Sequence, residues 1–406
     1  MKPISKLTPD QVNYLNVGLM LVAAGLALWR PFEVFLFVYA VLGPAHYLTE
    51  ISWLHDRRYF TTGKYDYVFL TAVSVLVTLC VFGLVPSAPP ASVTWLTLVA
   101  FAAALVFALV RGAVGRVLGI AGALLLASLL ADAQGMDLTF RLFLPTLIHV
   151  SLFTGAFILI GALRGRSRSG LLSLLVFLAV PLAFLFALPG RERYAVSSYA
   201  RQAYGQLQSD GTFSDGFMAM NHQVLTIFRL HDFGQPTRDI AGFVSDVNAY
   251  LYGNPLALAV MAFIAFAYTY HYLNWFSKTS IIRWHEIPRA RAVTVVLVWV
   301  TSVALCVYDY RLGLQWLFFL SFTHVVLEFP LNHLTFVGIG REIRDLLRGE
   351  QPRAARRRAS RPTISGSAVP TRTAAIMVTS VSCMGAFRTL GTAPPGAATV
   401  GRGGPL

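Results

Sequence analysis

Histidine, glutamate and histidine recur at one spacing, His-x3-Glu-x4-His, as His46, Glu50, His55 and again as His324, Glu328, His333. Both copies lie inside or at the end of strongly apolar stretches, where desolvating an ionisable group costs a few kcal/mol or more unless a partner, a metal or water compensates. His149 and His271 are two further histidines in apolar stretches. Imidazole nitrogens suit iron, zinc, copper and nickel, and carboxylates added to them suit iron or zinc. The chemistry to look for is therefore a metal centre held by histidines from separate segments, with iron first and zinc second. In that reading His46, His149, His271 and His324 are the ligands. Glu50 and Glu328 are the candidate catalytic carboxylates, orienting the imidazoles or completing the shell. The plainer alternative for each pair is an internal hydrogen bond that locks two helices together.

The segments that must position these residues are set by composition. In 406 residues, 56% are hydrophobic and only 13% charged, with a mean hydropathy of +0.61. About 20 predominantly apolar residues cross about 30 Å of hydrocarbon. Roughly ten such stretches can be read, near residues 12–29, 32–54, 66–85, 92–110, 114–131, 142–163, 170–188, 254–276, 292–309 and 314–338. Backbone in lipid must satisfy its own hydrogen bonds, so the expected fold is all-α, a polytopic bundle of transmembrane helices.

Charge orients the bundle. Arg57, Arg58 and Lys64 follow the second stretch, Arg111 and Arg116 the fourth, Arg164, Arg166 and Arg168 the sixth, and Lys278, Arg283, Arg289 and Arg291 the eighth. Every second loop is basic, which places these loops and both termini in the cytoplasm of a protein of the cell's inner (plasma) membrane. Of the net charge of +14, residues 341–406 carry +8, from 11 Arg against 3 acids. That tail is poor in large apolar residues, so the reading is a bundle over 1–340 and a basic, disordered cytoplasmic tail over 341–406. Its charge fits anionic lipid, and no stacking aromatics accompany the basic run, which argues against nucleic acid. The external connection 189–253 contains Phe217, Met220, Val224, Ile227 and Phe228 at near-helical spacing, which fits either an interfacial helix over the external mouth or a plain loop. His222 and His231 read as loop histidines.

Depth gives one check. At 1.5 Å per residue, His46 lies about 21 Å, His324 about 15 Å and His271 about 25 Å below the outer ends of their stretches, whereas His149 lies only about 10 Å down. His55 and His333, nine residues after the first histidine of each repeat, fall about 180° around the helix and belong to the cytoplasmic rim, unless Pro330 breaks the second copy. Arg57 and Lys278 sit on that rim too, placed for substrate or an anionic head group. Cys80, Cys306 and Cys383 have no metal-like spacing. Nucleotide-binding and hydrolase motifs are absent, as is the C-x-x-C-H of a covalent haem.

Gly43, Pro44, Ala45, His46 and Glu50 resemble the Gly-x-Pro-His-x3-Asp signature of the Brp/Blh-like carotenoid dioxygenases. Pro44 here precedes Ala45 rather than the histidine, Glu50 stands where the signature has Asp, and Ile51 follows it. The resemblance implies a membrane enzyme that cleaves a heavily apolar polyene with molecular oxygen. It also implies iron held by His46, His149, His271 and His324. Two function classes follow. One is a non-haem-iron oxidoreductase acting on an apolar or lipid-like small molecule. The other is a proton- or cation-coupled transporter that uses the His/Glu pairs as half-sites. A metal-free lipid-processing or assembly protein is the third.

Overall fold

A computed structural model of the chain describes residues 7–85, 88–89, 91–186, 194–214, 216–234, 239–278 and 287–350. They form an all-α bundle without a strand among the described residues, apart from one isolated bridge between Leu207 and Phe213. Among the described residues, nine helices are long and apolar enough to cross a membrane: α1 (Pro9–Trp29), α2 (Pro31–His55), α4 (Ser92–Leu109), α5 (Ala113–Leu130), α6 (Asp137–Gly165), α7 (Arg168–Phe186), α11 (Pro255–Ser277), α12 (Arg289–Tyr308) and α13 (Tyr310–Leu347). The remaining apolar segment forms α3 (Asp66–Val81), whose 16 residues cover about 24 Å. This is the multi-pass membrane architecture that composition predicts.

Local signals place the helix starts. Thr8 and Gln11 close a capping box on α1, while Pro31 and Pro255 occupy first-turn positions of α2 and α11. The Asp309 side chain caps α13. Inside α2, Pro44 removes one backbone N–H. Close by, the Trp299 indole of α12 donates to the Val41 carbonyl at 2.8 Å, docking α12 on the loosened turn.

The centre belongs to α11. Of its apolar window 83% is buried, against 11% for α5 and α12, which therefore face lipid. Around α11 pack α1, α2, α7 and α6, and α13 packs against α2, α3, α4, α6 and α12. The first half of α6, Asp137–Phe153, is wound as a π-helix around Pro145 and passes into α-helix at Thr154. Wide turns of this kind recur at functional sites, and His149 sits in this one.

Two details extend the sequence reading. The last helix passes residue 341, as α13 runs on to Leu347 and buries Glu342 and Asp345, with Arg164 Nε 3.9 Å from Glu342. Residues 351–406 lie outside the described residues. Pro330 does not break its helix, since α13 continues through it for 38 residues. Between α7 and α11 in the chain, α8 (Ser198–Tyr204), α9 (Gly216–Ile227) and α10 (Ile240–Gly253) form a cap, with α9 and α10 packed on α11. Of the five apolar residues that suggest a helix there, Phe217, Met220 and Val224 are buried, and Ile227 and Phe228 stay exposed. His222 is therefore a helix residue rather than a loop residue; its ring stacks on Phe233 at 4.4 Å, and His231 stacks on Tyr250 at 3.8 Å.

The α12–α13 corner needs a residue without a side chain at 313. A Cβ on Gly313 would lie 2.6 Å from Cys306 Cα and 2.7 Å from its backbone N, and backbone cannot step aside as a rotamer can. Overpacking of this kind costs about 1–3 kcal/mol, only partly offset by the helix gain of about 1 kcal/mol from Gly to Ala. Gly313→Ala is expected to lower the thermal midpoint, while Gly18→Ala, with open space around the added carbon, leaves it level or raises it.

The cap carries a pH dependence. Burial, reinforced by nearby His231, holds the His222 imidazole below the ordinary histidine value of 6.5. Unfolded, the group takes up its proton near that value; folded, it stays neutral to lower pH. Cap stability is thus complete above 6.5 and declines as pH falls from there toward the lowered value. Protection factors of the α9 amides, exchange rates corrected for the intrinsic pH dependence, should fall between pH 7.5 and 5, and His222→Phe should flatten the change.

Candidate metal centre

Four helices deliver one histidine each to a common point. His46 comes from α2, His149 from the π-wound part of α6, His271 from α11 and His324 from α13, with relative exposures of 1%, 2%, 9% and 1%. One ring nitrogen from each lies within 4.8 Å of all the others. His46 Nε2 is 3.0 Å from His271 Nε2, and His149 Nε2 is 3.2 Å from His324 Nε2.

These spacings test the fit of a metal. Zinc-type bonds of about 2.0–2.1 Å in a tetrahedron put ligand nitrogens about 3.4 Å apart, inside the 3.0–4.8 Å spread of the cluster. The donor set is all imidazole. Cys80 and Cys306, the described cysteines, are not part of it. A group of four buried imidazoles could therefore hold a metal ion, and small ring rotations suffice to close the set.

The surroundings hold the rings. Thr154 Oγ1 pairs with His271 Nδ1 at 2.8 Å, which turns His271 Nε2 to the centre. Glu328 Oε2 faces His149 Nδ1 at 3.2 Å and accepts from Asn332 Nδ2 at 3.5 Å. Glu50 Oε2 lies 3.2 Å from His46 Nε2, the nitrogen that points into the cluster. His46 Nδ1, on the opposite side of the ring, has no hydrogen-bond partner among the described residues. The two carboxyl groups are neighbours, and Lys278 at the end of α11 acts electrostatically on both. Aromatic rings seal the site. Tyr47 stacks on His324 at 4.4 Å, its hydroxyl meets that of Tyr272 at 2.6 Å, and Trp275 stands edge-on to His46 at 5.5 Å while donating to Thr49 Oγ1. Gly43 makes room for the phenol pair, since a Cβ there would lie 3.0 Å from Tyr47 Oη and 3.3 Å from Tyr272 Oη.

His149 is as deep as its partners. Its helix starts at Asp137, five residues before the apolar stretch, and its ring nitrogen comes within 4.8 Å of those of His46, His324 and His271. The polar first turn, Asp137 to Arg141, hid that length in the sequence. The second repeat also departs from the first. Glu50 meets its own His46, but Glu328 reaches across to His149, and His324 spends its ring on Tyr47 and His149. The repeat thus supplies two unlike halves rather than two copies of one half-site.

The remaining candidates lie outside the cluster. His55 is exposed at the end of α2, its Nδ1 3.3 Å from the Tyr59 hydroxyl, and His333 Nε2 meets the Phe101 carbonyl of α4 at 2.9 Å. Arg57 lies over the Trp53 ring at 4.0 Å. Lys278, at the end of α11, acts electrostatically on Glu50 and Glu328. Arg283, Trp284 and His285 are outside the described residues. Thr154, Asn332, Tyr47 and Tyr272 are the residues that sequence reasoning passed over. Only Asn332 had a usable signal, four residues after Glu328 on the same helix face.

No family model, curated protein or solved structure matches the chain.

If Thr154 sets the His271 tautomer, Thr154→Val should weaken metal binding about 10–100-fold with little change in thermal midpoint, and Thr154→Ser should restore it. Competition with a calibrated chelator reads both.

Proposed function

We propose that this protein is a membrane oxidoreductase in which a non-haem iron, held by His46, His149, His271 and His324, serves the oxidation of an apolar or lipid-like small molecule. The observation that carries the reading is the convergence of four imidazoles in a dry core, where no thiolate competes and the buried nitrogens have little else to bind. Bound iron would supply the capacity to activate molecular oxygen, which imidazole ligation suits.

The protein's own residues divide the remaining work. Thr154 and Glu328 hold the rings of His271 and His149 in place. Glu50 stands at the ligand side of His46, where its carboxyl can hold or release a proton beside the reacting centre. Tyr47, Tyr272 and Trp275 keep bulk water out and offer flat apolar walls to the substrate. The resemblance to the Brp/Blh-like dioxygenases narrows the substrate to a conjugated polyene. The reaction would add both atoms of dioxygen across one carbon–carbon double bond and yield two carbonyl products, with no external reductant consumed.

The carboxyl pair favours a second reading, a proton- or cation-coupled carrier. Two buried, neighbouring carboxyls with a lysine acting on both are the equipment such a carrier needs.

Metal analysis by mass spectrometry on the detergent-purified protein separates the two. Near-stoichiometric iron that is lost in both His46→Ala and His324→Ala, with oxygen uptake on apolar polyenes by the wild type, is the expected result. Absence of any retained transition metal after anaerobic reconstitution would overturn the enzyme. Ion flux in proteoliposomes that disappears in Glu50→Gln and Glu328→Gln would then establish the carrier.

A further inference from the structure

A second site lies on the cap, away from the histidines. Where the start of α13 meets α8 and α10, a groove of about 830 Å³ with a mixed polar and apolar lining includes Arg201, Arg311, Gln206, Ser214, Asn248 and Tyr252. Two guanidinium groups thus reach one cavity from separate parts of the chain.

The groove is built rather than incidental. Asn248 forms its floor, accepting from the Leu207 amide at 2.8 Å and donating to the Leu207 carbonyl at 3.2 Å, and the Tyr252 hydroxyl donates to the Gly205 carbonyl. Gly205 has φ +63, and a Cβ there would meet Ser214 Cβ at 2.6 Å and lie 3.9 Å from Arg311 Nη2, so the tight turn keeps the wall thin beside that guanidinium. Arg201 lies over the Tyr252 ring at 4.7 Å, which orients its charge without neutralising it.

Asp309 caps the Leu312 amide and Asp210 binds the Thr212 amide and hydroxyl. Among the described residues neither arginine makes an ion pair. Two guanidiniums without a carboxylate partner, at one cavity, match an oxyanion with several acceptor oxygens.

Position narrows the source. Arg311 is the second residue of α13, and the Tyr204 hydroxyl of α8 donates to the carbonyl of Phe32 at the start of α2. The groove therefore sits where the bundle leaves the membrane on the side of the cap. We propose that it binds the phosphate of an anionic ligand, which at this level is either a phospholipid head group or free phosphate.

Calorimetric titration of the full-length protein in neutral detergent tests this with two probes, inorganic phosphate and dihexanoyl phosphatidylglycerol. Saturable binding of either probe is expected, weakened about tenfold or more in Arg201→Gln/Arg311→Gln, the loss of charge-assisted hydrogen bonds. Arg201→Lys/Arg311→Lys should keep part of it. Both arginines are exposed, and an unchanged thermal midpoint confirms that the variants fold. Tighter binding of the lipid than of phosphate assigns the site to a head group, and equal binding assigns it to the free anion. No saturable binding of either probe, or binding untouched by the double glutamine variant, would overturn the proposal.

Discussion

The cost of placing imidazole and carboxyl groups in hydrocarbon is the constraint on which the rest of the bundle depends. Four histidines and two glutamates, each at most 9% exposed, share one point among α2, α6, α11 and α13. An unsatisfied polar group there costs a few kcal/mol, comparable with the whole stability of a domain when several are summed. Some of the groups find partners, imidazole meeting imidazole, His271 meeting Thr154 and Glu328 meeting Asn332, while His46 Nδ1, His149 Nδ1 and His324 Nδ1 have no hydrogen-bond partner among the described residues. Such contacts form only when the helices meet. They therefore specify which four helices must meet and at what depth.

The architecture follows from that demand. α11 is buried along most of its length because it carries His271 and must touch both repeat-bearing helices, or the elements packed on them. Small residues ease the approach: Gly43 admits the phenol pair of Tyr47 and Tyr272 between α2 and α11. α5 and α12, which carry no ligand, are left facing lipid. The π-turns of α6 around Pro145 let His149 enter a cluster assembled by three other helices.

What could be read from the sequence divides along the same line. Composition and loop charges sufficed for the all-α multi-pass class, because the hydrocarbon imposes length and hydrophobicity residue by residue. The i, i+4 contact of His46 with Glu50 is local to one helix, and it too was legible. The partner of Glu328 was not, since His149 lies on another helix and only tertiary packing decides between it and His324. Thr154 was hidden for a different reason, being an ordinary residue in an apolar run until the ring of His271 arrives beside it. His149 looked shallow because the hydropathy signal begins several residues inside the helix.

The pairing of the two glutamates bears on chemistry as well as on stability. The two carboxyl groups share one buried region with His46 and His149. An enzyme and a carrier would use such a pair differently. An enzyme needs a carboxyl held at one fixed point, and the unlike surroundings of the two, Glu50 on the inward nitrogen of His46 and Glu328 on the outward nitrogen of His149, provide a fixed direction. A carrier built on repeats needs two equivalent states to alternate between, and the inequivalence of the two repeats works against that. The asymmetry that the repeat itself conceals thus tips the balance toward a static, metal-centred site.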